Sequence, residues 1–336
     1  MSDGMFALEK RCAQLAVKRA CQLTQSVSRG GSESITKSDS SPVTVGDFGA
    51  QALIINAILR AFPHDRVVGE ENADKVRADE GLRNQVFSEI ERTNQATEQV
   101  TSEIGKIHNE TEMLDAIDQG SFEGGSQGRI WALDPIDGTK GFLRREQYAV
   151  CLALMVNSEV VLGVIGCPNL NGGSLFTAVK GQRATCQPLT GSIGVEERDI
   201  SFRSISSPEQ AVFCESVESG HSSHSANARI AEKLGITAPS VRMDSQAKYC
   251  SIAMGQADIY LRLPVNDLYQ EKIWDHAAGN ILVTEAGGQV SDINGKPLNF
   301  GLGRTLSENK GVIASEKSIH QHVLNAVKET LQEQKN

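Results

Sequence analysis

The chain has 336 residues, a formal net charge of −9 and a hydrophobic content of 39%, and at ~150 residues per domain this length predicts two domains. The acidic balance disfavours sequence-independent binding to nucleic acid, and no apolar stretch approaches the ~20 residues that would cross a bilayer. The N-terminus carries charges where a signal peptide is apolar, and the seven cysteines are scattered and odd in number, so we expect a cytoplasmic protein with free thiols.

The first predicted elements are two amphipathic helices. Apolar residues recur at helical spacing from Leu8 to Val27, and the pattern stops at glycine. The second helix is predicted to begin after an N-cap at Thr44 and to end before a proline, which places Asp47 in its first turn. The Thr44–Asp47 spacing also fits a capping box, so Asp47 has a structural alternative to any catalytic role.

A short buried strand follows and delivers Glu70 and Glu71 at its C-terminal end. Adjacent glutamates usually form a solvated pair, so this position alone does not indicate chemistry. Residues 72–128 are polar and charge-rich, and we expect surface helices around an insertion in this region.

The stretch WALDPIDGTKGF places Asp134 and Asp137 where a buried strand enters a turn. Two carboxylates at a dry strand end repel each other unless a cation lies between them. Oxygen ligands without His or Cys suit Mg²⁺, and the turn could also present the carbonyl of Ile136. A purely structural Asp-Gly turn is an equal alternative for this motif taken alone.

The second half of the chain alternates strands and helices, which predicts a smaller α/β domain. A helix predicted from Ser245 onwards puts Ser245 and Lys248 in its first turn, where free N–H groups favour phosphate. N-capping by Ser245, a solvated Lys248 and a surface ion pair at Arg262 are the structural alternatives. Asp275 is predicted to open a later helix of small residues, where N-capping is its alternative role.

The segments GEE, WALDPIDGTKGF and WDHAAGNILVTEAGG, in this order, closely resemble the signatures of the lithium-sensitive, magnesium-dependent phosphatases that include inositol monophosphatase. Further segments, among them SPVTVGDFGAQ, GHSSH, DSQAKYC and YLRLP, resemble the fungal 3'(2'),5'-bisphosphate nucleotidases within that superfamily. The resemblance implies a layered α-β-α-β-α sugar-phosphatase fold of the α+β or α/β class. It also implies an α+β metal-binding domain at residues 1–190 and an α/β nucleotide-binding domain at 191–336, with the site between them.

Carried over residue by residue, the resemblance implies a site for two or three Mg²⁺ ions and a nucleotide. The implied metal ligands are Glu70, Asp134, the carbonyl of Ile136, Asp137 and Asp275. Asp47 and Thr139 match the pair that activates water. The implied substrate contacts are Thr139, His221, Ser245, Lys248, Arg262 and Asp275, with Lys248 and Arg262 on the phosphate that is not cleaved.

The activity that this resemblance implies is Mg²⁺-dependent removal of the 3'-phosphate from adenosine 3',5'-bisphosphate. Action on 3'-phosphoadenosine 5'-phosphosulfate, a place in sulfate assimilation, and inhibition by Li⁺ and Na⁺ are implied as well, and we expect a monomer. An inositol phosphatase is the nearest alternative, and a non-catalytic sensor of nucleotide or metal is the alternative from another class. The pair Asp47 and Thr139 favours an enzyme, because a sensor needs no base to activate water.

Overall fold

A computed structural model describes residues 4–30, 35–36, 42–217, 224–264, 266 and 268–334. Its helices are α1 (Ala7–Gly30), α2 (Val45–Ala61), α3 (Asp74–Ala78), α4 (Glu80–Ala96), α5 (Glu98–Ile104), α6 (Glu110–Asp118), α7 (Thr139–Leu143), α8 (His224–Lys233), α9 (Ala247–Ala253), α10 (Ala277–Glu285) and α11 (His320–Glu333). Its strands are β1 (Ile35–Thr36), β2 (Pro42–Val43), β3 (Arg66–Gly69), β4 (Arg129–Asp137), β5 (Ala149–Val156), β6 (Glu159–Cys167), β7 (Ser174–Val179), β8 (Ala184–Pro188), β9 (Arg198–Ile200), β10 (Phe213–Glu215), β11 (Val241–Arg242), β12 (Ile259–Arg262), β13 (Gly288–Ser291) and β14 (Val312–Glu316). The helices α3 to α6 occupy the polar region after β3, where surface helices were predicted.

The larger sheet has the strand order β3-β4-β5-β6-β7-β8-β9. Only the β3–β4 pair in it is parallel, and the later strands form an antiparallel meander. The β5–β6 hairpin turns at Asn157 and Ser158, which both have positive φ, at 50° and 72°. Two such residues in a two-residue loop match the twist of the flanking strands, and the predicted turn at this position is confirmed.

Alternate residues of the larger sheet belong to two different apolar cores. Trp131, Leu133 and Leu152 pack with α1 and α2 on one face. Ala132 and Cys151 pack on the opposite face with residues of α9 and α10. Both faces are therefore covered, which explains why β4 and β5 are apolar along almost their whole length.

The smaller sheet has the order β11-β10-β12-β14-β13 and lies on the other side of α9 and α10. Its outer face packs against α8 and α11. The layers therefore run α, β, α, β, α, and the predicted layered fold is confirmed. The larger sheet ends at Ile200 and the smaller one begins at Phe213, while a division into domains at residue 190 stays a prediction.

Arg19 interrupts the apolar face of α1 and is nevertheless fully buried. Its guanidinium donates to the carbonyls of Gly105, at 2.6 Å, and Leu53, at 3.1 Å. Burial lowers the pKa of Arg19 to about 10. The side chain thus ties α1 to α2 and to the end of α5, a role that a helical pattern does not reveal.

All seven cysteines are buried free thiols, as predicted. Among the described residues, none of the helices combines the length and apolar character needed to cross a lipid bilayer.

His320 predicts a pH-dependent loss of stability. It is 2% exposed, and its ring nitrogens lie 2.8 Å and 2.9 Å from the hydroxyls of Ser315 and Ser291. Burial lowers the pKa of His320 to about 4. Between pH 6.5 and 4 the unfolded chain therefore binds more protons at this histidine than the folded protein does. The stability that the neutral, buried His320 contributes is complete above pH 6.5 and is lost as the pH falls, by about 2 kcal/mol at pH 5. We expect the free energy of unfolding, measured with urea at pH 7 and pH 5, to change less between the two pH values in His320→Gln than in the wild-type protein. An equal change in both proteins would contradict this role of His320.

Candidate active site

The paired ends of β3 and β4 bring two of the predicted ligands side by side. Gly69 and Leu133 are partners in the parallel register, so Glu70 and Asp134 occupy the next positions along neighbouring strands. Asp134 is buried and Glu70 is half-buried. Glu71 is also buried, and its backbone N–H and carbonyl bind the side-chain amide of Gln51 at 3.0 Å and 2.7 Å. The adjacent glutamates are therefore not a solvated pair.

A β-bulge explains the spacing of Asp134 and Asp137. Asp134 pairs with Cys151 and Asp137 pairs with Ala149, so β4 has one residue more than β5 over this interval. In a regular strand, residues three apart point to opposite faces, whereas a bulge re-aims the side chain. Burial raises the pKa of the Cys151 thiol, and the charges of Asp137 and Asp134 both raise it further. Both carboxylates therefore lie close to the same thiol.

The first turn of α2 packs directly on this bulge. A Cβ atom added to Gly46 would lie 2.9 Å from Cδ1 of Ile136. Asp47 is 1% exposed, and its Oδ2 accepts hydrogen bonds from the N–H and the hydroxyl of Thr44, at 2.7 Å and 2.6 Å. The predicted capping box is confirmed. The hydroxyl of Thr139 donates to the Ile136 carbonyl at 3.2 Å, not to Asp47, in this structure.

Residues of the second half close over the turn that follows β4. Oδ2 of Asp137 accepts the backbone N–H of Gln246 at 2.5 Å. Gly138 has φ of 86°, and a Cβ atom added to it would lie 3.0 Å from Cβ of Ser245. The side chain of Gln246 donates to the Trp274 carbonyl at 2.8 Å and accepts the N–H of Gly279 at 2.9 Å. Gln246 therefore connects Asp137 with the chain on both sides of Asp275.

The prediction that Ser245 lies in a helical first turn is wrong. The helix α9 begins at Ala247, and Ser245 precedes it with φ of 68°. Its hydroxyl accepts the N–H of Ala247 at 3.1 Å. Contact with Gly138 and this local hydrogen bond accompany the left-handed backbone, which no helical periodicity could predict. Lys248 does lie in the first turn of α9.

Lys248 is a buried cation, not a solvated one. It is 3% exposed, and its ammonium lies 5.2 Å from the centroid of the Tyr260 ring. Burial lowers the pKa of Lys248, while the charge of Asp137 opposes that effect. In the described part of the chain, no carboxylate lies within ion-pair distance of this ammonium. A buried ammonium of this kind is suited to pairing with an anion that the protein binds.

Arg262 stands at one end of a buried hydrogen-bonded chain. Its Nε donates to Glu271 at 3.1 Å, the other oxygen of Glu271 lies 3.2 Å from Nε2 of His276, and Nδ1 of His276 lies 2.8 Å from the hydroxyl of Tyr249. Burial alone would raise the pKa of Glu271, but the His276 hydrogen bond and the charge of Arg262 lower it to about 2. Arg262 is therefore held in a buried ion pair, not a surface one.

Asp275 lies between this chain and the carboxylates of the larger sheet. Burial raises its pKa well above the ordinary value, with Asp137 and Glu70 adding to the rise and Arg262 opposing it. Burial also raises the pKa of Asp137, opposed by Lys248 and increased by Glu70. Glu70 after β3, Asp137 of β4 and Asp275 of the segment before α10 thus repel one another at one place. The N-cap of α10 is His276, so Asp275 does not have the capping role that was its alternative.

Glu271, Asp275 and His276 are close enough to share a metal ion. However, Glu271 and both ring nitrogens of His276 are already engaged in the chain to Arg262, which leaves Asp275 as the available ligand. Sequence reasoning missed Glu271, His276 and Gln246. The spacing of Glu271 and His276 around Asp275 was the available signal. His221, a predicted substrate contact, lies outside the described residues.

Comparison with known proteins finds similar sequences and a similar fold. Residues 5–332 match the inositol monophosphatase family. The chain is 50% identical to a 3'(2'),5'-bisphosphate nucleotidase of Emericella nidulans, over 97% of this chain and 99% of the relative. It is 46% identical to a protein of the same name from Schizosaccharomyces pombe, over 96% and 95%. Among solved structures, a Thermotoga maritima IMPase superposes with a TM-score of 0.64 at 23% identity, over 95% of this chain and 96% of that one.

The buried chain from Tyr249 to Arg262 predicts unequal losses of stability. Glu271→Gln leaves the guanidinium of Arg262 without its counter-charge and should lower the free energy of unfolding by about 3 kcal/mol. Tyr249→Phe removes one hydrogen bond and should cost about 1 kcal/mol. Urea unfolding at pH 7 measures both.

The matched control is Glu159→Gln, because Glu159 forms an exposed ion pair with Lys180. The same substitution there should change stability by no more than about 1 kcal/mol. Similar losses at Glu271 and Glu159 would contradict a special role for the buried pair.

Proposed function

The chain belongs to the inositol monophosphatase family, and within that family we propose that it hydrolyses the 3'-phosphate of adenosine 3',5'-bisphosphate to give AMP and phosphate. The observation that carries this proposal is the pairing of a carboxylate cluster with two cations, Lys248 and Arg262, whose charges act on Asp137 and oppose the rise in its pKa. A substrate with two phosphates uses both parts of such a site. The names of the relatives from Emericella nidulans and Schizosaccharomyces pombe support the same substrate class.

The proposed cofactor is Mg²⁺, with two or three ions bound. The donor set fits, because it consists of hard oxygens in a buried place, where burial and neighbouring carboxylates raise the pKa of Asp137 and Asp275. The proposed ligands are Glu70, Asp134, the carbonyl of Ile136, Asp137 and Asp275. Bound Mg²⁺ would activate water and offset the charge on the phosphoryl and leaving oxygens.

The remaining steps belong to side chains of this protein. The hydroxyl of Thr139 turns from the Ile136 carbonyl towards the attacking water, takes a proton from that water and gives its own proton to Asp47. The bond from water oxygen to phosphorus forms as the bond to the 3'-oxygen breaks, and that oxygen takes a proton from solvent. Lys248 and Arg262, with Ser245 and His221, hold the 5'-phosphate and the nucleoside in place.

Further properties follow from this proposal. We propose action on 3'-phosphoadenosine 5'-phosphosulfate, inhibition by Li⁺ and Na⁺, and a cytoplasmic monomer that acts in sulfate assimilation. A phosphate-release assay in Mg²⁺ buffer with adenosine 3',5'-bisphosphate, adenosine 3'-monophosphate and inositol 1-phosphate tests the substrate, and repeating it in LiCl against KCl at matched ionic strength tests the inhibition. Preference for inositol 1-phosphate would support the inositol phosphatase alternative. Nucleotide binding without phosphate release would support a sensor.

Asp47→Asn separates catalysis from helix capping. If Asp47 is the base, kcat should fall roughly 10²-fold or more while KM changes less, because an amide cannot take the proton. The control is Asp79→Ala, which removes the N-cap of α4, a helix that contributes no proposed site residue, and should cost about 1 kcal/mol of stability with kcat preserved. An Asp47→Asn enzyme with wild-type kcat and reduced stability would leave Asp47 with capping alone.

Lys248→Ala tests recognition of the second phosphate. The variant should lose roughly 10- to 100-fold in kcat/KM for adenosine 3',5'-bisphosphate and far less for adenosine 3'-monophosphate, since only the former offers a 5'-phosphate to pair with. Lys18→Ala is the control, because Lys18 is also buried but bonds the Gly191 carbonyl from α1. Equal losses on both substrates would remove Lys248 from this role.

A further inference from the structure

Arg304 lies in the segment between β13 and β14 and reaches the end of β3 in the larger sheet. Its Nη2 donates to the Gly69 carbonyl at 2.6 Å, and its Nη1 donates to the carbonyl of Phe122 at 3.0 Å and, more weakly, of Gly120 at 3.4 Å. The N–H of Gly69 in turn donates to the Gly120 carbonyl at 2.8 Å. The guanidinium therefore fixes the backbone immediately before Glu70.

The same residue also fixes the backbone before Asp275. The Arg304 guanidinium carbon lies 4.8 Å from the centroid of the Trp274 ring. The backbone carbonyl of Arg304 accepts the N–H of Ile273 at 3.1 Å, and the neighbouring Leu306 N–H donates to the Glu271 carbonyl at 2.8 Å. Arg304 is thus attached on one side to the residue before Glu70 and on the other to the residues before Asp275.

The charge of Arg304 lies within range of the same site. Burial lowers its pKa, while the carboxylates of Glu123 and Glu70 raise it. In the described residues, Arg304 has no carboxylate within ion-pair distance, and its N–H groups are directed to carbonyl oxygens. A fork of rigid donors on backbone carbonyls holds geometry in a way that a flexible ammonium does not.

We propose that Arg304 is a positioning residue that sets the separation of Glu70, at the end of β3, from Asp275, before α10, and thereby the affinity of the site for Mg²⁺. The inference rests on the proposed function, because it concerns the same metal site. Groups that orient metal ligands from behind tune affinity without touching the ion. Arg304 does so through two backbones at once.

The test is calorimetric titration of the folded protein with Mg²⁺, without substrate, on wild type and Arg304→Lys. The lysine variant keeps the charge but loses the fork, and its Mg²⁺ affinity should fall roughly 10- to 100-fold. At saturating Mg²⁺, its KM for adenosine 3',5'-bisphosphate should return to the wild-type value, because Lys248 and Arg262 are unchanged.

Arg203→Lys is the matched control. Arg203 also makes a forked contact, with Asp258 and the Gln210 carbonyl, away from the site. The Arg203→Lys variant should lose stability and keep wild-type Mg²⁺ affinity. If Arg304→Lys does not fold, Trp274→Leu removes the stacked ring instead and should show the same loss of Mg²⁺ affinity.

A folded Arg304→Lys or Trp274→Leu protein with wild-type Mg²⁺ affinity would overturn the inference and leave Arg304 as a structural clamp. Failure of the wild-type protein to bind Mg²⁺ or release phosphate would instead overturn the proposed function. The two failures are therefore distinguishable.

Discussion

Carboxylates from distant parts of the chain are buried together and repel one another, and this constraint organises the molecule. Asp137 and Asp275 are far apart in the chain, yet burial raises the pKa of both, and the charge of Asp137 raises the pKa of Asp275 further. The surrounding groups reduce that cost in specific ways. The Gln246 N–H binds Asp137, and Lys248 of α9 and Arg262 of β12 supply positive charge. Bound cations would offset the remaining cost of ionising the buried carboxylates. The arrangement that is unfavourable without cations therefore suits a metal-dependent reaction.

The layer of α9 and α10 brings these groups together. Both helices pack between the two sheets, so a residue at the start of either helix can reach the end of β4. Gln246 uses this position to bind Asp137 through its backbone and the Asp275 region through its side chain. Small residues at the start of α10 allow this approach, since a Cβ atom on Gly279 would lie 2.2 Å from the Tyr249 ring. The packing of the central layer therefore also determines the geometry of the site.

Local patterns predicted what depends on neighbours in the chain. The two N-terminal helices, the capping box at Asp47 and the turn at Asn157 all follow from spacing and backbone preference, and the structure confirms them. The fold class and family followed from motif resemblance. Tertiary contacts decided the remainder. Ser245 leaves the helix where it meets Gly138, and Arg304 binds carbonyl oxygens of Gly69 and Phe122, which carry no side-chain signature in a sequence. The bulge after Asp134 depends on pairing with β5, so the sequence does not reveal it. The three-residue spacing of Asp134 and Asp137, which the bulge accommodates, can be read from the sequence.

The central layer also governs how the chain unfolds. The helix α10 follows the first strands of the smaller sheet in sequence, but Ile281 and Ala278 pack against Gly163 of β6 in the larger sheet. Cutting the chain between the sheets would therefore uncover an apolar face of the N-terminal piece, and this exposed surface would be prone to association. The core between the sheets takes residues from both halves, although each half also has outer core clusters of its own. Loss of either sheet should accordingly destabilise the other, because the core between them is shared, even though the architecture divides by eye into two.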